Sequence, residues 1–275
     1  MSLKINLNFF IIIIIIYIIY IIYGLFKKKI SCNVEKFSNN EWQKKKMGGK
    51  IPFVIKNGGK LLKAYNKWDD NYLKKIIGKD KFRVETSYSN VFSPSDPLSK
   101  AGFKKMTFND FSKKYINNKM NQTNKSQLNY YLAEIDMPIK LVNDVQNPFI
   151  DDVNKYPDEM FLFLGIGGNI TRAHTDNSNN FYFLLDGTKE ILLISPEHKH
   201  RLYLQKRKDE DKYENYLVFD IDNIDYKKYP LMKNVPIKKV KLQKGDMLYI
   251  PTGWWHRVKS GLSRNFAVSL WYNKL

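Results

Sequence analysis

From Met160 onward the sequence breaks into short apolar runs: "MFLFLGIG", "FYFLLDG", "KEILLIS", "KKVKLQ", "GDMLYIP", "HRVKSG" and "NFAVSLWY". Each is bounded by Gly, Asp, Pro or polar turn residues. Runs this short, with turn signals between them, predict β-strands rather than helices. Many such strands in succession form a sandwich or a small barrel, so the fold expected is mainly β. Helices belong to the part before them. "DDNYLKKIIG" places Tyr72, Leu73, Ile76 and Ile77 at helical spacing, with Gly78 as the stop. "MTFNDFSKKYI" predicts a second helix, with Thr107 as N-cap and Phe108, Phe111 and Tyr115 on one face. "LNYYLAEI" predicts another strand. The helices are expected to pack outside the barrel.

The N-terminal part is separate in character. Residues 1–8 form a short tail. Phe9 to Phe26, "FFIIIIIIYIIYIIYGLF", is 18 residues without a charge. As a helix it would be about 27 Å long, near the thickness of a hydrocarbon core. It ends in Phe26-Lys27-Lys28-Lys29 rather than in small residues, which favours a retained transmembrane anchor over a cleaved signal peptide. Lysines crowd its C-terminal side, so the positive-inside rule puts the rest of the chain in the cytosol, as a single-pass membrane protein. Residues 27–50 read as a basic linker, broken by Gly48-Gly49, and residues 51–275 as one globular domain. Cys32, the single cysteine, excludes an internal disulfide and a cysteine-rich zinc site. The formal charge of +19 points towards an anionic partner such as RNA or lipid headgroups. The excess is almost all Lys, with six Arg, and Ile and Asn are also abundant, so a coding bias accounts for part of it.

Only four histidines are present. His174 stands two residues before Asp176 in a segment that reads as β-structure. Residues i and i+2 of a strand face one side, so the two side chains are expected to converge. His198 and His200 lie in the charged "SPEHKHRLY" and read as solvated. His256 follows a hydrophobic strand and Trp254-Trp255 and reads as well packed. Two His and one carboxylate are a ligand set of non-haem Fe(II) oxygenases and of some zinc enzymes; the H-x-D…H order on β-structure favours iron.

The sequence from about Ile51 to Tyr272 resembles the JmjC and cupin-like 2-oxoglutarate oxygenases, and within them the factor-inhibiting-HIF asparaginyl hydroxylase group. The family's G-N-x-T-x-x-H-x-D is matched by Gly168 to Asp176, its glycine-preceded lysine by Gly187-Thr188-Lys189, its G-D-x-L-Y-I-P-x-x-W-W-H by Gly245 to His256, and its closing W-Y by Trp271-Tyr272. The resemblance implies a double-stranded β-helix, or jelly roll, with flanking N-terminal helices. It implies His174, Asp176 and His256 as Fe(II) ligands and Lys189 as the partner of the distal carboxylate of 2-oxoglutarate. It implies Thr171 and Tyr131, with Tyr130 as the alternative register, as donors to that carboxylate, Asn180 near the cosubstrate, and Trp271 as an aromatic wall. Arg264 is the rival cation. Ser269 stands where the family has an asparagine.

The cofactors implied are Fe(II), 2-oxoglutarate and O2, and the activity is that of a 2-oxoglutarate-dependent dioxygenase, a hydroxylase. A protein side chain is the expected substrate. RNA (tRNA) hydroxylation and lysine demethylation are the enzymatic alternatives, and a non-catalytic, membrane-tethered binding protein is the alternative of another class. The family group dimerises through helices after the last barrel strand, whereas this chain stops at Leu275, so a monomer is expected. Three Asn-x-Ser/Thr sequons, at Asn121, Asn124 and Asn169, bear on the orientation.

Overall fold

The structure, a computed structural model, describes residue 17 and residues 34–38, 49–92, 101–119, 128–150, 155–205, 216–273 and 275. The fold is that of the compact unit Val34–Leu275. Its strands are β1 (Glu35–Phe37), β2 (Phe53–Ile55), β3 (Lys81–Ser87), β4 (Val91–Phe92), β5 (Gly102–Thr107), β6 (Asn129–Asp136), β7 (Glu159–Gly165), β8 (Ile170–His174), β9 (Asn179–Asp186), β10 (Thr188–Ile194), β11 (Lys238–Gln243), β12 (Met247–Ile250), β13 (Trp255–Ser260) and β14 (Asn265–Tyr272). Its helices are α1 (Lys63–Lys67), α2 (Asp70–Ile77) and α3 (Phe108–Lys119).

Two sheets result. The larger runs β1-β2-β12-β9-β14-β7-β6-β3-β5 and the smaller β11-β10-β13-β8-β4. The period of two in the strands explains the layering. In β9, Phe181, Phe183 and Leu185 pack with Leu62, Trp68, Leu73, Phe108 and Phe111 from the N-terminal helices and the segments beside them. Tyr182 and Leu184 turn the other way and meet Ile191 and Leu193 of β10 between the sheets. Leu192 and Ile194 of β10 face outward, where Leu217, Phe219, Tyr229 and Met232 cover them. The central strands are thus buried on both faces, which is why they read as nearly continuous apolar runs rather than as clean alternation.

The helix signals act where they were expected. Asp69 caps α2, accepting from the Tyr72 amide at 2.7 Å. Thr107 caps α3, accepting from the Asp110 amide at 3.1 Å. Three features depart from the sequence reading. Strand β1 lies inside the stretch read as linker and pairs in parallel with β2. Strands β3 and β5 extend the large sheet where no strand was expected. His198 and His200 sit in a short 3-10 helix, Pro196–Arg201, rather than in a loop.

The expected anchor, residues 9–26, falls outside the described residues except for Tyr17. Among the described residues, no helix is long and apolar enough to cross a membrane.

Candidate active site

Between the two sheets lies a cavity of about 360 Å³. His174, Asp176 and His256 line it, and one ligand atom from each lies within 4.8 Å of the other two. The Nε2 atoms of His174 and His256 stand 3.7 and 3.4 Å from the Asp176 carboxylate oxygens. The two histidines are direct partners across the β8–β13 ladder, and their ring centroids are 4.3 Å apart.

Asp176 arrives differently from the expectation. Strand β8 ends at His174, so Asp176 is not its strand neighbour two places on. The loop beyond the strand carries it, and the Gly253 amide holds it by donating to the Asp176 carbonyl at 2.9 Å. A second irregularity brings Thr171 and His174 to the same cavity despite their odd spacing. His256 pairs with His174 and Val258 with Thr171, so Arg257 faces two residues, Arg172 and Ala173. That β-bulge reverses the parity of the strand. Ala173 consequently packs outward, and Arg172 donates to the Leu217 carbonyl at 2.9 Å.

Both imidazoles are oriented. His174 Nδ1–H donates to the Arg172 carbonyl at 2.7 Å, and His256 Nδ1–H to the Trp254 carbonyl at 3.1 Å. These bonds leave each Nε2 lone pair directed to the shared point, the arrangement metal-binding histidines use. Burial, then the neighbouring His174, pushes His256 down to about 4, so its imidazole is neutral and ready to ligate. Two imidazoles and a carboxylate on one side of an ion fit Fe(II) and leave the cavity side open.

Lys189 lies deeper. It is 3% exposed, and its ammonium donates to Ser260 Oγ at 3.0 Å and to the Tyr131 hydroxyl at 3.4 Å. Its Nζ stands 5.7 and 5.9 Å from the ring centroids of Tyr131 and Tyr182, both of which line the cavity. Along β10 and β13 the inward pairs are Lys189 with Ser260, Ile191 with Val258 and Leu193 with His256. The lysine and the histidine are therefore four residues apart, about 13 Å along the ladder, so a small molecule fits between metal point and ammonium. No carboxylate lies within ion-pair distance of Lys189 among the described residues, and burial pushes its ammonium down to about 7. A buried cation without an anion is costly, and a dicarboxylate would relieve that cost. The rival Arg264 is committed elsewhere, to Asp70 at 2.7 Å and Asp186 at 2.8 Å.

Tyr131, Thr171, Asn180 and Trp271 all line the cavity. Tyr131 is buried, while Tyr130 packs against the helix-side core, which decides the register between them. Burial, then Glu85, holds the Tyr131 hydroxyl well above its usual range, so it is a neutral donor. Ser269 also lines the cavity. Five buried polar atoms of lining residues have no hydrogen-bond partner among the described residues: Thr175 Oγ1, Asn180 Oδ1, Tyr182 OH, Ser269 Oγ and Trp271 Nε1. Orphaned donors and acceptors gathered round one cavity are the mark of a polar ligand site.

Among the lining residues that were not anticipated are Arg83, Glu85, Glu134 and Tyr216. Tyr216 stacks on His174, centroids 5.7 Å apart. Glu134 has a left-handed backbone, φ 50°, within a second bulge where Ala133 and Glu134 both oppose Phe163. No local sequence signal marks these four, because bulges and distant strand pairing bring them in.

The cupin-like domain family matches residues 39–275. Among curated proteins, the chain is 31% identical to JmjC domain-containing protein D of Dictyostelium discoideum over 84% of its own length and 53% of that protein's. It is 28% identical to tRNA wybutosine-synthesizing protein 5 of Gallus gallus, over 80% of this chain and 69% of that one. It is 27% identical to lysine-specific demethylase JMJ30 of Arabidopsis thaliana, over 81% and 50%. The chain spans about half the length of the Dictyostelium and Arabidopsis relatives.

Proposed function

The chain belongs to the cupin-like domain family, among its JmjC oxygenases, and on that premise we propose that it is an Fe(II)- and 2-oxoglutarate-dependent hydroxylase acting on a protein side chain. Fe(II), 2-oxoglutarate and dioxygen are the cofactor set of this family. The observation that carries the reading is the convergence of His174, Asp176 and His256 in a cavity backed by a buried, anion-less Lys189. The narrower likeness to the factor-inhibiting-HIF asparaginyl hydroxylase group rests on the motif residues alone.

Each residue has a part. His174, Asp176 and His256 would hold the ion, with the two Nδ1 hydrogen bonds fixing the rings. Lys189, Thr171 and Tyr131 would receive the distal carboxylate of 2-oxoglutarate, with Asn180 and Trp271 on its flank. Phe92, Phe163, Ile191, Ile250 and Val258 line the same cavity and keep water from the reacting carbon. Bound there, the ion and its cosubstrate supply the oxidising chemistry that places one atom of O2 in a C–H bond and the other in succinate, with loss of CO2.

Succinate formation from 2-oxoglutarate, measured with and without added Fe(II), tests this. We expect iron-dependent turnover that His174→Ala abolishes. No succinate under any iron condition would favour a jelly-roll binding protein instead. A nucleic-acid substrate is the second reading, supported by the charge of +19 and by the similarity to the wybutosine protein. Salt-sensitive tRNA binding, with an oxygen atom gained in its nucleosides, would favour that reading. Lysine demethylation, supported by the similarity to JMJ30, would show as formaldehyde release from a methylated peptide.

A further inference from the structure

On the reading of His174, Asp176 and His256 as a metal site, we propose that Arg172 and Arg257 are positioning residues for it. They act through residues 216–222, a segment that they seat against His174.

The segment covers the outer face of the small sheet, beside the strands that carry the histidines. Leu217, Phe219 and Ile221 pack there with Ala173, Leu192, Ile194 and Trp255. At its start Tyr216 makes an antiparallel bridge to His174 and lines the cavity. Its ring stacks on the imidazole, with centroids 5.7 Å apart and planes 27° apart. The Leu217 amide donates to the Ala173 carbonyl at 3.2 Å. Arg172 holds both partners of the stack. Its carbonyl accepts from His174 Nδ1 at 2.7 Å. Its guanidinium donates to the Leu217 carbonyl at 2.9 Å and to the Phe219 carbonyl at 3.5 Å.

Arg257 ties the far end of the segment to the other histidine's strand. It directly follows His256 and is 1% exposed. One terminal nitrogen donates to Glu190 Oε1, at 3.2 Å, and to Asp222 Oδ1, and the other donates to the Glu190 carbonyl at 3.2 Å. Lys239 pairs with the second Glu190 oxygen at 2.5 Å, so two cations meet two carboxylates. The direct partner of Arg257 on β10 is the buried Leu192. Packing alone asks for an apolar residue at such a place, because a buried ion pair adds little net stability over one. The ion pair adds position instead: it fixes where Asp222 goes, and with it the end of the segment. Both ties start within two residues of a histidine ligand. Unseating the segment withdraws Tyr216 from His174 and frees that ring, so metal affinity falls although no ligand is touched. Groups that orient metal ligands are worth roughly 10–100-fold in affinity.

The test titrates Co(II) into the full chain, because its visible absorption bands report the coordination of the bound ion. Asp222→Asn removes the charge and keeps the shape. It should weaken Co(II) binding about tenfold or more. Tyr216→Leu leaves both arginines in place and should weaken binding to a similar extent. The double variant should bind no more weakly than the weaker single one, because both changes break one chain of contacts. At saturating Co(II) the bands of both single variants should shift in the same direction, a signature that a general loss of stability does not give. A folded Asp222→Asn that binds Co(II) as the unaltered protein does overturns the proposal, and so do losses that multiply in the double variant. Should Asp222→Asn not fold, Tyr216→Leu decides alone: unchanged affinity and unchanged bands overturn the proposal. An unaltered protein that takes up no Co(II) would instead sink the reading of the cavity as a metal site, and this proposal with it.

Discussion

At the scale of the residue, Lys189 is the most exacting position. Its pKa of about 7, against an ordinary 10.5, means that the fold disfavours the ammonium. The sign follows from linkage: the cost is complete below about pH 7 and is relieved as pH rises towards the ordinary value. Comparing the protein with Lys189→Met should therefore show the unaltered protein gaining relative stability between pH 7 and 9, by at most about 2 kcal/mol. Adding 2-oxoglutarate to the Mn(II)-loaded protein should raise the melting temperature of the unaltered protein further and leave that of Mn(II)-loaded Lys189→Met nearly unmoved. Equal stabilisation of both would remove Lys189 from the cosubstrate site. The motifs made the metal ligands and Lys189 legible in sequence, because each demands a particular residue type. Glu85 and Glu134 were not legible, because a glutamate in a strand carries no signal until its neighbours are known.

At the scale of the element, the site depends on turns and bulges as much as on strands. Gly187 joins β9 to β10 with φ 80°, and a Cβ there would lie 2.3 Å from the Arg264 carbonyl and 2.8 Å from the Asn265 side chain. The glycine before the lysine is thus a steric requirement of the turn that launches Lys189. Gly187→Ala should cost roughly 2–4 kcal/mol and lower the melting temperature by about 5–15 °C; an unchanged melting curve would mean that the turn relaxes freely. The two bulges, opposite Arg257 and Phe163, are what bring Thr171 with His174, and Tyr131 with Glu134, to one cavity. Alternation in the sequence predicts the wrong face for one member of each pair. Capping residues, by contrast, are local, and Thr107 was readable for that reason.

At the scale of the whole molecule, an anchor over residues 9–26, as expected from the sequence, would place the domain at a membrane. Full-length protein should then remain with the membrane fraction after alkaline carbonate extraction, and Asn121 and Asn124 should stay unglycosylated in cells. Release into the supernatant would remove the anchor, and a glycan at either asparagine would reverse the orientation. Asn169 decides nothing about orientation: it is 2% exposed and bound to Asn90 at 3.0 Å, so the folded protein offers no acceptor there.

The sequence by itself determined the class of fold and the chemistry of the metal point. Strand-length apolar runs punctuated by turns, and a few residue types that nothing else replaces, are properties of short stretches of chain. Tertiary structure alone decided which of two faces each strand turns inward, that Asp176 reaches the site from a loop, that Tyr131 rather than Tyr130 meets Lys189, and that Glu85 and Glu134 share the cavity. The reason is the pairing of strands far apart in the chain. His174 meets His256, and Glu85 meets Tyr131, through registers set by the packing of both sheets at once, and a single extra residue in a strand reverses every face beyond it.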